Sequence, residues 1–227
     1  MSSFVLVPGA GGQAWYFHRL VPRMIERGHR AVAVDLPAAD DTAGLAAYAD
    51  AIVAAAPAEP VVLVAQSMAG LSAPLTCDRL DVAGIVMLNA MSPRPGETGG
   101  DWWTNTGQEE AAREKAIADG RDPDAPFDPW EVFFHDADPD LLAEAQAASQ
   151  PVQSDRPFED PWPLPAWPDV ATRFLAAQDD RLFPLEFQRR IVGERLGIDV
   201  EPIPGGHLAA LTRPEVVAEW LTDAHSA

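Results

Sequence analysis

The chain has 227 residues, 47% hydrophobic and 22% charged, which suits one well-buried globular unit and argues against a disordered chain. Its formal net charge of −19 repels phosphate backbones and anionic lipid, so nucleic acid and membrane surfaces are not expected partners. A single cysteine, Cys77, excludes an intrachain disulfide, and neither C-x-x-C nor H-E-x-x-H occurs, so no metal or other cofactor is expected. Met1-Ser2-Ser3 runs straight into an apolar strand, with no basic start, no cleavage site and no apolar run of bilayer-spanning length. The expectation is a cytoplasmic protein.

Phe4 to Val7 reads as a buried strand ending at Pro8-Gly9-Ala10-Gly11-Gly12. Phe17, Leu20, Val21, Met24 and Ile25 then fall on one face of a helix closed by Gly28. Arg30 to Leu36 predicts a second strand, and Leu45, Tyr48, Ile52 and Val53 a second helix before Pro57 and Pro60. Val61 to Val64 is a run of β-branched and apolar residues, read as a third, fully buried strand. It breaks at Ala65-Gln66-Ser67-Met68-Ala69-Gly70, and Leu71 and Leu75, four apart, predict a helix after the break. Val82 to Asn89 reads as a fourth strand. Strict strand–helix alternation to this point calls for a parallel sheet covered on both faces.

The alternation stops near Met91. Residues 92–168 contain no convincing strand but carry Trp102, Trp103, Trp130, Trp162 and Trp167, apolar surfaces too large to leave unburied. Gln108 to Ala118 and Pro139 to Ala148 look helical, so the segment is expected to be a mostly helical cap inserted into a core of residues 1–91 and 169–227. Ala171 to Ala177 and Ile198 to Ile203 resume the strands, with a helix from Pro184 between them and a last helix carrying Leu211, Val216, Val217, Trp220 and Leu221.

The chemistry-bearing residues cluster where such a sheet gathers them, after the carboxyl ends of its strands. Strand, sharp turn with a central serine, helix is the layout of a nucleophile elbow, with Ala65 and Ala69 where glycines would stand in G-x-S-x-G. A serine hydroxyl needs a base within reach, the base needs an acid, and the developing oxyanion needs preorganised donors. His207 is the histidine that follows a strand in a glycine-rich loop; His18 and His29 fall elsewhere on the core, His135 in the cap and His225 in the tail. Asp179 and Asp180 are adjacent and one of them can face the imidazole; Asp180 is the expected one. The order Ser67, Asp180, His207 follows, with the amides of Ala10 and Met68 as oxyanion donors. Gly9-Ala10-Gly11-Gly12 lacks full dinucleotide-binding spacing and no G-K-[ST] follows, so a nucleotide site is not expected.

FVLVPGAGGQAW, HRAVAVDLP, VVLVAQSMAG, DRLFPLEFQRR and PGGHLAALTRPEVVAEWL together resemble the α/β-hydrolase superfamily, in its small branch of plant-type methylesterases, hydroxynitrile lyases and bacterial relatives. The resemblance covers most of the sheet-forming chain, while the cap matches nothing familiar. It implies an α/β-hydrolase fold of about six strands, with Ser67 as nucleophile, Asp180 as acid, His207 as base, and Ala10 and Met68 as oxyanion hole. Pro8-Gly9 replaces the family's usual His-Gly. The lyases' threonine and lysine fall at Gly9 and Leu208, which carry neither function, so ester hydrolysis is the leading expectation. The substrate is expected to be a small apolar ester, with Trp103 and Trp130 lining its pocket and the protein a monomer or homodimer. Two alternatives stay open: a small-molecule receptor that turns over little, and a carbon–carbon hydrolase or lyase on the same residues.

Overall fold

The computed structural model describes residues 1–148 and 152–223. Six parallel strands, β1 (Ser3–Val7), β2 (Arg30–Ala33), β3 (Val61–Gln66), β4 (Val82–Leu88), β5 (Thr172–Ala177) and β6 (Val200–Ile203), form one sheet in the order β2-β1-β3-β4-β5-β6. β1 and β3 are buried along their whole length, which is why they read as unbroken apolar runs. Their residues still obey the strand period of two. Val5, Val7, Leu63, Ala65, Ile85, Met87, Phe174 and Ala176 feed one core, and Phe4, Leu6, Val62, Val64, Val86, Leu88 and Leu175 feed the other.

Helices cover both faces. On one side lie α1 (Leu20–Glu26) and the carboxyl-terminal α9 (Ala209–Thr212) and α10 (Pro214–Asp223). On the other lie α2 (Leu45–Ala55) and α8 (Leu185–Leu196). Between β4 and β5 the chain leaves the sheet and builds α3 (Gly99–Thr106), α4 (Gln108–Ala118), α5 (Pro129–Phe133), α6 (Pro139–Ala147) and α7 (Arg156–Glu159). This insertion is anchored at its base. Thr98 bridges to Pro161, the Trp162 amide donates to Glu97 O, and the Trp102 and Trp162 rings are buried in the sheet's core with their indole N–H groups on Ser92 O and Leu71 O. Among the described residues, no helix is long and apolar enough to cross a membrane.

Four sequence expectations are corrected by local physics. The helix expected after Gly70 is two single 3₁₀ turns, Ser67–Gly70 and Ala73–Thr76, because Pro74 has no N–H to continue a helical ladder. The last helix is split, since a residue before proline is pushed out of the helical region and Arg213 precedes Pro214. Phe17 belongs to a separate turn, Ala14–Phe17, and Ile25 faces solvent, 58% exposed. β2, at the sheet edge, pairs only as far as Ala33; Leu36 turns away to bond Gly12 O.

The strand order positions the site. From β1 the chain moves to β2 on one side and then crosses to β3 on the other, so the loops after β1 and β3 diverge. A crevice opens at their carboxyl ends.

Candidate active site

β3 runs into the turn at Ser67, whose backbone is forced to φ 56°. That left-handed conformation is costly for a residue with a side chain and persists only where the surroundings impose it. Here β3 enters from one side, Leu71 N closes the turn on Met68 O, and Met91 N donates to Ser67 O from the end of β4. The serine side chain is thereby held at the crevice.

His207 Nε2 lies 2.9 Å from Ser67 Oγ, and His207 Nδ1 lies 2.8 Å from Asp180 Oδ2. Asp180 has no solvent exposure and His207 only 2%. The other carboxylate oxygen, Oδ1, accepts from the amides of Leu182 and Phe183, which offsets the cost of burying the charge. An ionised carboxylate only accepts, so Nδ1 carries the imidazole proton and Nε2 is left to accept from the serine hydroxyl. Asp179, by contrast, is exposed and uses its amide to hold Gly205 O. Two rings pack on the imidazole, Phe133 at 5.4 Å and Phe183 edge-on at 5.2 Å.

Ala10 and Met68 line the same cavity as Ser67. The Ala10 amide has no acceptor among the described residues, and Met68 is the second residue of a single turn, where amides lack an intrahelical partner. Gln66, the residue before the serine, supports this wall: its Oε1 accepts from Gly9 N at 3.0 Å. Asn89 ties the three strand ends together, accepting from Ala177 N and donating to His207 O. Its own φ of 46° is the second left-handed non-glycine among the described residues.

The cavity above Ser67 measures about 1020 Å³ and is walled by Met91, Trp103, Val132, Phe133, Phe158 and Leu182, with charged groups such as Arg113 and Arg181 also on its lining. A pocket of about 60 Å³ that also reaches Ser67 is lined by His207, Gln66, Tyr16, Phe133, Phe134 and Leu208. Trp103 is among the residues lining the Ser67 cavity. Trp130 does not reach the Ser67 cavity; it packs on Phe134 and lines a separate space of about 250 Å³. Phe133, Gln66 and Asn89 are missed by sequence reading, although the position of Gln66 beside the serine was a usable signal. His135 is half-buried, its pKa held low by burial and by Arg181; His18 packs on Trp15, and His225 lies outside the described residues. Burial beside Asp78 pushes the Cys77 thiol up to about 11, so it is not a poised nucleophile. Among the described residues, no group of three or more His, Cys, Asp or Glu side chains is arranged to hold a metal ion.

A doubly covered parallel sheet with a serine, histidine and aspartate at its carboxyl edge defines an α/β-hydrolase. The sequence pattern of the Alpha/beta hydrolase family matches residues 4–220, and the chain belongs to that family. It is 30% identical to a probable esterase, PIR7A, of Oryza sativa subsp. indica, over 96% of this chain and 94% of the relative. Among solved structures it superposes on polyneuridine aldehyde esterase with a TM-score of 0.75 at 24% identity, covering 99% of both chains. The methylesterase MES16 from Arabidopsis gives a TM-score of 0.76 at 20% identity, covering 100% of this chain and 99% of that one. These two likenesses carry the fold.

Proposed function

We propose that the protein is a serine esterase that cleaves a largely apolar carboxylic ester with a short alcohol. The observation that carries this reading is the unbroken contact chain from Ser67 Oγ through His207 to a buried, doubly amide-bonded Asp180. Ser67 Oγ attacks the ester carbonyl carbon while His207 Nε2 takes its proton. The carbonyl oxygen becomes an oxyanion held by the Ala10 and Met68 amides. The bond to the alcohol oxygen then breaks, and His207 returns the proton to that oxygen as the alcohol leaves. Water, deprotonated by His207, attacks the acyl carbon; the bond to Ser67 Oγ then breaks, His207 returns the proton to that oxygen, and the acid is released.

The two pockets divide the substrate. The leaving oxygen must reach His207, and the pocket lined by both Ser67 and His207 is the small one. The large cavity meets Ser67 without His207 and suits the acyl group. The insertion acts as a cap over that acyl side. The similarity to a probable esterase supports the same chemistry. A receptor on this fold needs neither the strained serine nor a free oxyanion amide, and no observation favours it.

A panel of methyl, ethyl and tert-butyl esters of one aryl-substituted acid tests the reading. Methyl and ethyl esters are expected to turn over and the tert-butyl ester to fail. Ser67→Ala is expected to lose at least about a thousandfold in kcat, the scale seen when a nucleophile acting as part of a unit is removed. Equal turnover by Ser67→Ala would refute the mechanism.

A further inference from the structure

The short loop leading into His207 is held through several of its backbone atoms. Gly205 O accepts from Asp179 N, and Asn89 Nδ2 donates to the carbonyls of His207 and, at 3.5 Å, Gly206. Both of these clamps come from the strand-forming part of the chain. Gly206 N donates at 3.0 Å to Asp136 Oδ2, which comes from the insertion just after α5. The same oxygen accepts from Thr212 Oγ1 at 2.9 Å on α9, directly beyond the histidine. Arg213 steadies the arrangement, with Nη2 3.5 Å from Oδ2 and Nη1 donating to Asp136 O.

Asp136 is a costly device for mere packing. Its side chain is only 9% exposed, and Oδ1 is buried with no partner among the described residues. Sites that keep such a cost are expected to be functional. The preceding stretch reaches the same chemistry: Phe133 lies on the imidazole, and Glu131 O accepts from Arg181, next to Asp180.

Resting on the esterase reading, we infer that Asp136 is a positioning residue for His207, acting through the Gly206 amide. The insertion thus sets the angle of the base toward Ser67 as well as covering the cavity. Gly206 is part of the device, because a Cβ there would sit 2.7 Å from His135 Nε2 and 2.9 Å from Asp136 Oδ1. Its backbone is not left-handed, so alanine at 206 is opposed only by these neighbours.

The test compares hydrolysis of the methyl ester of an aryl-substituted acid by wild type, Ser67→Ala, Asp136→Ala, Asp136→Asn and Gly206→Ala, with thermal unfolding of each. Asp136→Ala is expected to lower kcat by about tenfold or more with KM nearly unchanged, since small misplacements of a reacting group cost rate rather than binding. Asp136→Asn keeps an acceptor for Gly206 N and Thr212, and is expected to retain kcat within about threefold. Gly206→Ala leaves Asp136 in the chain, is expected to match Asp136→Ala, and decides the matter should the latter not fold. Wild-type kcat in both alanine variants, or equal damage from Asn and Ala at 136, would overturn the inference and leave the esterase reading intact. Wild-type turnover by Ser67→Ala would overturn both.

Discussion

Ser67 is a buried polar residue in a conformation that a side chain resists, at the end of a strand that is buried along its whole length. The strain is tolerated because neighbours approach too closely for any relaxed alternative. The tightest approach is at Gly70, where an added Cβ would lie 1.9 Å from Met91 O and 2.9 Å from Met87 Cε. The carbonyl is backbone and cannot step aside, so Gly70→Ala must displace the turn. It is expected to lower both the unfolding midpoint and kcat, whereas Ala69→Gly, which restores the more usual elbow residue, is expected to keep kcat within about threefold. Thermal unfolding and ester hydrolysis of the two variants check this. Sequence reading located Ser67, Asp180 and His207 because strand ends and chain order are local signals. It took Ala65 and Ala69 as the positions that had to be small and passed over Gly70, whose constraint comes from Met91, 21 residues on. Asn89 was equally hidden: its bonds to Ala177 and His207 span 88 and 118 residues.

At the scale of elements, the insertion is bolted to the sheet by one buried ion pair. Arg195, at the end of α8, meets Glu97, just before α3, and the two side chains are 2% and 5% exposed. Arg195 also donates to Ser92 O, and Glu97 accepts from Asn105 Nδ2 and Arg94 N. Removing one member leaves the other buried and uncompensated. Arg195→Met is therefore expected to cost about 3–5 kcal/mol, a drop of roughly 6–20 °C in Tm for a chain of this size. Calorimetry reads this directly, and a loss below about 1 kcal/mol would contradict it. The pH dependence has a definite sign. Burial pushes the Glu97 carboxyl up, but hydrogen bonds from Arg195, Asn105 and Arg94 and the Arg195 charge outweigh it, and its pKa falls below the ordinary 4.5. A depressed carboxylate stabilises the fold fully above its unfolded value and loses that contribution as pH falls through the folded value. Wild type is thus expected to lose stability progressively below about pH 4.5, and Glu97→Gln to start lower and show a shallower decline there. The helices Gln108–Ala118 and Pro139–Ala147 were legible in sequence, within a residue at their ends. α5 and α7 were not: at five and four residues they are too short to show a helical period, and both begin with proline in the first turn.

Over the whole molecule, function depends on two parts built by different rules. The sheet is specified by long apolar runs at regular spacing, so its six strands and their parallel sense could be read from the chain. The insertion is specified by individual caps and anchors, such as the Thr98–Asp101 capping box and the Trp102 and Trp162 indoles, which show no period. Apart from Trp103, its contribution to the site was hidden in sequence, yet it supplies Phe133 against His207 and most of the large cavity's wall. Esterase chemistry here requires that this assembly activate Ser67. The direct measurement is intact mass after incubation with a fluorophosphonate, on wild type, Ser67→Ala and His207→Gln. One covalent adduct on wild type, none on Ser67→Ala and at least about a hundredfold slower labelling of His207→Gln are predicted. A folded wild type that takes no adduct, or an adduct that survives Ser67→Ala, would contradict it.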